Sequence, residues 1–146
     1  IGTFDVLQSR YNLLCREVEP DVLPYCDAQG IGFVAHTPLA KGLLTGKYRR
    51  GHTFSPDDER SERPEFQGEV YRSNLASAER LAQIATQNGL SPVCLAISWT
   101  LHQPIVGSCL VGARSPEQVT EHIGGQGWQL TTETLSEINA TLHIAD

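Results

Sequence analysis

"GIGFVAHTPLAKGLLTGKY", residues 30–48, decides how the rest of the sequence reads. Ile31, Phe33, Val34 and Ala35 are apolar and partly β-branched, the pattern of a buried strand over residues 31–36. Gly30 stands just before them as a helix stop. Pro38, Gly42 and Gly46 then punctuate a loop over residues 37–47 that carries Lys41 and Lys47, with one helical turn at residues 42–44. A strand that hands over to such a loop commonly positions a ligand there.

The flanks make this strand part of a repeating unit. Upstream, "FDVLQS" (residues 4–9) reads as a strand with Gln8 near its C-terminal end, and Pro20 suits the first position of a helix running to Gln29. Strand, helix and strand within about 30 residues make a βαβ unit with parallel strands. Downstream, "RRGHTFSPDDERSERPEFQG" (residues 49–68) is charged and aperiodic, which predicts a long surface loop. Leu75, Ala78, Leu81, Ala82 and Ala85 then predict a helix over residues 70–88, stopped by Gly89. Ser91-Pro92 caps a second helix that ends before Pro104, and residues 105–112 read as a third strand. Ser115 and Gln118 have capping-box spacing and start a helix that passes Glu121. From Thr131 a last amphipathic helix carries Leu135, Ile138 and Leu142 on one face. The order is α/β, with about three parallel strands and flanking helices. Three strands cannot close a sheet, so an open edge is expected beside each outer strand.

Composition excludes several functions. A formal net charge of −6 argues against nucleic acid or an anionic membrane surface as partner. No apolar run approaches the ~20 residues of a membrane span, and the expected location is cytoplasmic. The four cysteines (Cys15, Cys26, Cys94, Cys109) show no CxxC pair and are expected to be reduced and mostly buried. The histidines are scattered, and no metal site is expected. The chain begins at Ile1 and contains no Met, which suggests an internal segment of a longer protein.

Three features fall where parallel strands end: Gln8, residues 36–39, and residues 112–115. In a parallel α/β barrel those ends form the active face. The last also lies at a capped helix N-terminus beside Arg114, a setting suited to a phosphate. With "VLQSRYNLL", "TPLAKGLLTGKY", "LAISWTL" and "VGARSPEQVTEHI" in this order, the chain resembles the aldo-keto reductase family. The subgroup it resembles most contains bacterial general-stress reductases and potassium-channel β subunits. The resemblance implies a partial (β/α)8 TIM barrel, in which residues 1–146 form the C-terminal part of an NADP-dependent oxidoreductase domain.

The family's residue roles carry over position by position. Gln8 matches the glutamine that hydrogen-bonds the nicotinamide carboxamide. His36 stands where the family usually has a Tyr or Trp stacked on the nicotinamide, a departure that adds a titratable group beside the ring. Thr37, Pro38, Leu39 and Gly42 match the loop along the pyrophosphate, and Lys47 a lysine that reaches the phosphates. Gly112, Arg114, Gln118 and Glu121 match the site for the 2′-phosphate and adenine, with Arg114 favouring NADP(H). His122 replaces the usual Asn beside adenine. Lys41 reads as a solvated surface charge. Arg60 and Arg63 could close over the cofactor, though each alone reads as a solvated charge.

The family's general acid, a Tyr tuned by Lys, Asp and His, belongs to the first half of the barrel. Tyr11 cannot replace it, because its "RYN" context belongs to the strand with Gln8. Glu17, Glu19 and Asp21 read as charges stabilising a helix N-terminus. The chain is therefore expected to supply cofactor-binding residues and no catalytic ones. An aldehyde or ketone would be the substrate of the full barrel, and the open edges would permit self-association. The alternatives are a non-catalytic nucleotide-binding or regulatory module, or a truncated remnant.

Overall fold

The computed structural model describes residues 4–142. Three parallel strands, β1 (Val6–Arg10), β2 (Gly32–His36) and β3 (Val106–Leu110), lie in the order β1-β2-β3. The helices are α1 (Val22–Gln29), α2 (Gly68–Gln87), α3 (Pro92–His102), α4 (Pro116–Gly124) and α5 (Thr132–Thr141). The predicted element order and the parallel pairing hold, with β1 and β3 as the outer strands.

Boundaries differ from the expected ones for physical reasons. β1 ends at Arg10 rather than Ser9 because its ladder with β2 runs from Val6↔Gly32 to Arg10↔His36. Phe4, placed in the strand by its sequence, lies before that ladder and is exposed. Helix α1 starts two residues after Pro20, and Pro24 sits in its first turn, where a missing N–H costs nothing. Gly30 closes α1 in the left-handed conformation with φ 65°. Of the acidic residues before α1, Asp21 stands at the helix N-terminus, whereas Glu17 and Glu19 are engaged elsewhere. Glu19 accepts from the Tyr11 hydroxyl at 2.7 Å and from Arg16 Nε at 2.8 Å, and Glu17 accepts from Cys15 Sγ at 2.7 Å.

The sheet has one dry face and one open face. Phe33 and Ala35 are fully buried, and their side packs on Leu81, Ala85, Leu95 and Trp99 of α2 and α3. The alternate positions, Val6, Gln8 and Arg10 on β1 and Ser108 and Leu110 on β3, are exposed. Helix α3 is buried along Val93–Thr100, as expected of a helix that is apolar on all sides. Helix α4 packs closely on it through Gly125. A Cβ there would come 2.9 Å from Ile97 Cβ and 3.0 Å from the Cys94 carbonyl oxygen. Among the described residues, no helix is long and apolar enough to cross a membrane.

The segment over residues 49–68 is not a free surface loop. Short 3-10 turns at Glu59–Ser61 and Pro64–Phe66 fold it over a small second core of Leu43, Tyr48, Phe66 and Leu75, with Phe54 and Tyr71 against it. Phe54 meets Tyr48 and Phe66 edge-on, at centroid distances of 5.2 and 5.1 Å.

The two-faced sheet predicts an asymmetric response to truncation. Phe33→Ala should lose about 3–5 kcal/mol in chemical denaturation of this chain. Val34→Ala, on the open face, should lose less than about 1 kcal/mol. Equal losses would mean that both faces are packed.

Candidate functional site

The three strands end side by side, and the loops that leave β2 and β3, with residues 57–60, enclose a cleft of about 1010 Å³. Its floor is the turn after β2. Thr37, Ala40 and Lys41 adopt left-handed φ values of 59°, 47° and 53°, followed by Gly42 at 98°. Each such non-glycine residue costs about 1–2 kcal/mol, so the surroundings must hold the turn. The buried Asn12 side chain donates to the Thr37 carbonyl at 3.0 Å, and Thr45 Oγ1 donates to the Gly42 carbonyl at 2.8 Å. The turn is a 3-10 segment over Ala40–Thr45, longer than the single turn the sequence predicts.

The absent Gly42 side chain also leaves room for Lys47. A Cβ there would lie 2.9 Å from Lys47 Cε, because Lys47 folds back across the turn. Lys47 Nζ lies 4.9 Å from the Tyr48 ring centroid. Its pKa is lowered, first by partial burial and then by the charges of Arg60 and Arg114. Three cations from separate segments therefore share one space.

Arg60 is not the solvated charge its sequence context suggests. Its side chain is 17% exposed and lies over Phe54 at 5.1 Å. Asp58 grips it, accepting from Arg60 Nε at 2.7 Å, and Arg60 also donates to the Tyr48 hydroxyl. This pairing holds the Asp58 carboxyl well below the usual carboxylate range and raises Arg60. Lys41 is likewise not a free surface charge, since its Nζ pairs with Glu59 at 2.8 Å. Arg63 pairs with Glu59 at 3.0 Å and does not line the cleft. The sequence signal for Arg60 is the placing of Phe54 and Phe66 on either side of "DDER", since aromatic residues in a charged stretch anchor it.

Of the residues singled out in the sequence, His36, Thr37, Pro38, Leu39, Gly42 and Lys47 line the cleft on the β2 side. Gly112, Arg114, Gln118, Glu121 and His122 line it on the β3 side. Gln8 does not line it. Its Cα pairs with Val34, which puts it on the sheet face that ends in His36. His36 Nδ1 lies 2.8 Å from Thr37 Oγ1. The capping box at α4 is half formed. Ser115 accepts from the Gln118 N–H, but Gln118 Oε1 reaches past Ser115 and accepts from the Arg114 N–H at 2.7 Å. Gln118 thus positions Arg114.

The remaining reactive groups are quiet. Tyr11 is fully buried and committed to Glu19, and burial followed by that carboxylate raises its pKa far above neutrality. Burial and the Glu17 hydrogen bond push the Cys15 thiol up to about 11. All four cysteines are unpaired, three of them buried. Among the described residues, no group of three or more His, Cys, Asp or Glu is placed to hold a metal ion.

The model of the aldo/keto reductase family matches residues 2–143. The chain belongs to that family. It is 36% identical over 143 residues to the aldo-keto reductase YhdN of Bacillus subtilis, covering 97% of this chain and 43% of the relative. It is 34% identical over 148 residues to a Schizosaccharomyces pombe protein named as a putative voltage-gated potassium channel subunit beta, covering 94% and 42%. The glycerol dehydrogenase of Gluconobacter oxydans superposes with a TM-score of 0.87 at 36% identity, over 94% of this chain and 42% of that one. The chain thus spans less than half the length of these relatives, and its fold is a partial (β/α)8 barrel.

The shared field of the cations is testable by titration. Arg114→Ala should raise the Lys47 pKa towards the ordinary lysine value, because a neighbouring positive charge disfavours the protonated amine. NMR of methyl-labelled lysines would read it, and an unchanged pKa would refute the convergence. Gly42→Ala should displace Lys47 and shift the same resonance.

Proposed function

We propose that this chain supplies the NADP(H)-binding residues of an aldo-keto reductase that interconverts a carbonyl and an alcohol. The observation that carries the reading is the convergence of Lys47, Arg60 and Arg114 on one cleft, where their mutual repulsion calls for a polyanion. Lys47 and Arg60, above the β2 turn, suit the pyrophosphate. Arg114, held by Gln118 at the start of α4, suits the 2′-phosphate, which is present in NADPH and absent from NADH. Thr37, Pro38, Leu39 and Gly42 would lie along the pyrophosphate, with Glu121 and His122 towards the adenine. Gln8 and His36 would then face the nicotinamide, which supplies hydride when bound.

None of the cleft's lining side chains among the described residues is a tyrosine, so the proton donor for carbonyl reduction would come from the remaining strands of the barrel. Those strands would also cover the open sheet face and the free edges of β1 and β3. On its own, the chain would self-associate through those edges. A second reading, a nucleotide-binding module that tunes a partner, is favoured by the likeness to the channel subunit.

Fluorescence titration of this chain with NADPH, and with NADH as control, tests the binding reading. Saturable binding that prefers NADPH is expected, and no binding to either would overturn it for these residues alone. Arg114→Ala should weaken NADPH by about tenfold or more and NADH much less. In the whole protein, Gln8→Ala should lower the turnover number more than cofactor affinity, because it orients the ring. Steady-state kinetics beside binding would separate the two effects.

A further inference from the structure

The chain contains two lysines, Lys41 and Lys47, and both line the cleft. Their surroundings differ. Lys41 gives its Nζ to Glu59 at 2.8 Å. Lys47 has no ion-pair partner among the described residues and is exposed. Asp58, the carboxylate that acts on it from a distance, is taken by Arg60, which donates from Nε at 2.7 Å.

A lysine attacks an acyl carbon only as the neutral amine, and neighbouring cations favour that form. Lys47 has such a setting. Its Nζ lies 3.1 Å from the place of a Cβ on Gly42 and 4.9 Å from the Tyr48 ring centroid. Partial burial, and then the charges of Arg60 and Arg114, lower its pKa. The attack also needs a leaving group drawn to the same space. Arg114 lines the cleft, its backbone N–H fixed by Gln118 at 2.7 Å and its guanidinium in no ion pair among the described residues. A phosphate drawn to that fork enters the field that Lys47 shares. Both residues stand on loops of this chain, after β2 and after β3.

We propose that acyl phosphates acylate Lys47, and that the modification weakens cofactor binding. The amine lone pair forms a C–N bond to the acyl carbon. The C–O bond to phosphorus-bound oxygen breaks, its electron pair leaves on inorganic phosphate, and the surplus amine proton passes to solvent. The product is a neutral amide, so the cleft loses an unpaired cation. The site of acylation stands on the cleft alone, whereas its effect on the cofactor rests on the cofactor reading above.

The test treats the whole protein with acetyl phosphate and measures acetylation of each lysine by peptide mass spectrometry. Lys47 should take several-fold more label than Lys41, and equal labelling would overturn the site. Arg114→Ala should slow labelling of Lys47 by acetyl phosphate more than by the uncharged reagent N-acetoxysuccinimide. Equal slowing would overturn the guidance by phosphate. Protein acetylated at Lys47, and Lys47→Gln, should each bind NADPH about tenfold to a hundredfold more weakly, with Lys47→Arg close to the unaltered protein. Unchanged affinity after acetylation would overturn the regulation. Selective labelling of Lys47 in an unaltered protein that binds no NADPH would overturn the cofactor reading and the regulation, and would support the acylation site.

Discussion

Asn12 holds the site together. It follows β1 by two residues, is 2% exposed, and is satisfied on both sides of its amide. The amide nitrogen donates to the Thr37 carbonyl, and the amide oxygen accepts from the Leu14 N–H at 2.9 Å. One side chain thus ties the exit of β1 to the exit of β2. The left-handed run that begins at Thr37 is costly in isolation and persists because its first carbonyl is anchored in the core. That run brings Gly42 under Lys47, which lies over the turn within the field of Arg60 and Arg114. A buried hydrogen bond of ordinary strength therefore sets the position of charges several residues away.

What can be read in the sequence is what is locally encoded. Gly30 and Gly89 stop helices, Ser91 and Thr131 cap them through their hydroxyls, and the apolar spacing of α2 places Leu75, Ala78, Leu81 and Ala85 in the core. The cleft-lining residues after β2 and β3 are also legible, because a strand end and a helix start fix where a loop lies. What escapes depends on contacts distant in sequence. Lys41 and Arg60 look solvated because "PLAKG" and "DDER" give no sign of each other, although Lys41 pairs with Glu59 and Arg60 reaches the Lys41 carbonyl at 3.4 Å. Glu19 misleads for the same reason, since the demand of buried Tyr11 for an acceptor outweighs the weak field of a helix end.

The two faces of the sheet carry a related lesson. A strand buried on both sides reads as a continuous apolar run, and "IGFVA" is such a run. In this chain only the Phe33–Ala35 side is covered. Val34 and His36 sit among exposed neighbours on β1 and β3, in the arrangement of a barrel interior without its other strands. The apolar character of β2 is therefore explained by the whole family barrel and not by these residues alone.

Charge distribution separates the residues that build the site from those free to meet a ligand. The chain is acidic overall, at −6, yet its cleft gathers Lys41, Lys47, Arg60 and Arg114. The nearby carboxylates do not simply neutralise them. Asp58 pairs with Arg60 and Glu59 with Lys41. That pairing occupies donors and offsets their charge, so Arg60 and Lys41 serve mainly to shape the cleft wall. Lys47 and Arg114 have no ion-pair partner among the described residues, and the Lys47 pKa is lowered first by burial and then by the charges of Arg60 and Arg114. An anion placed between them would remove that repulsion and gain two unshared charges. On the reading proposed above, the phosphates of the cofactor would be that anion.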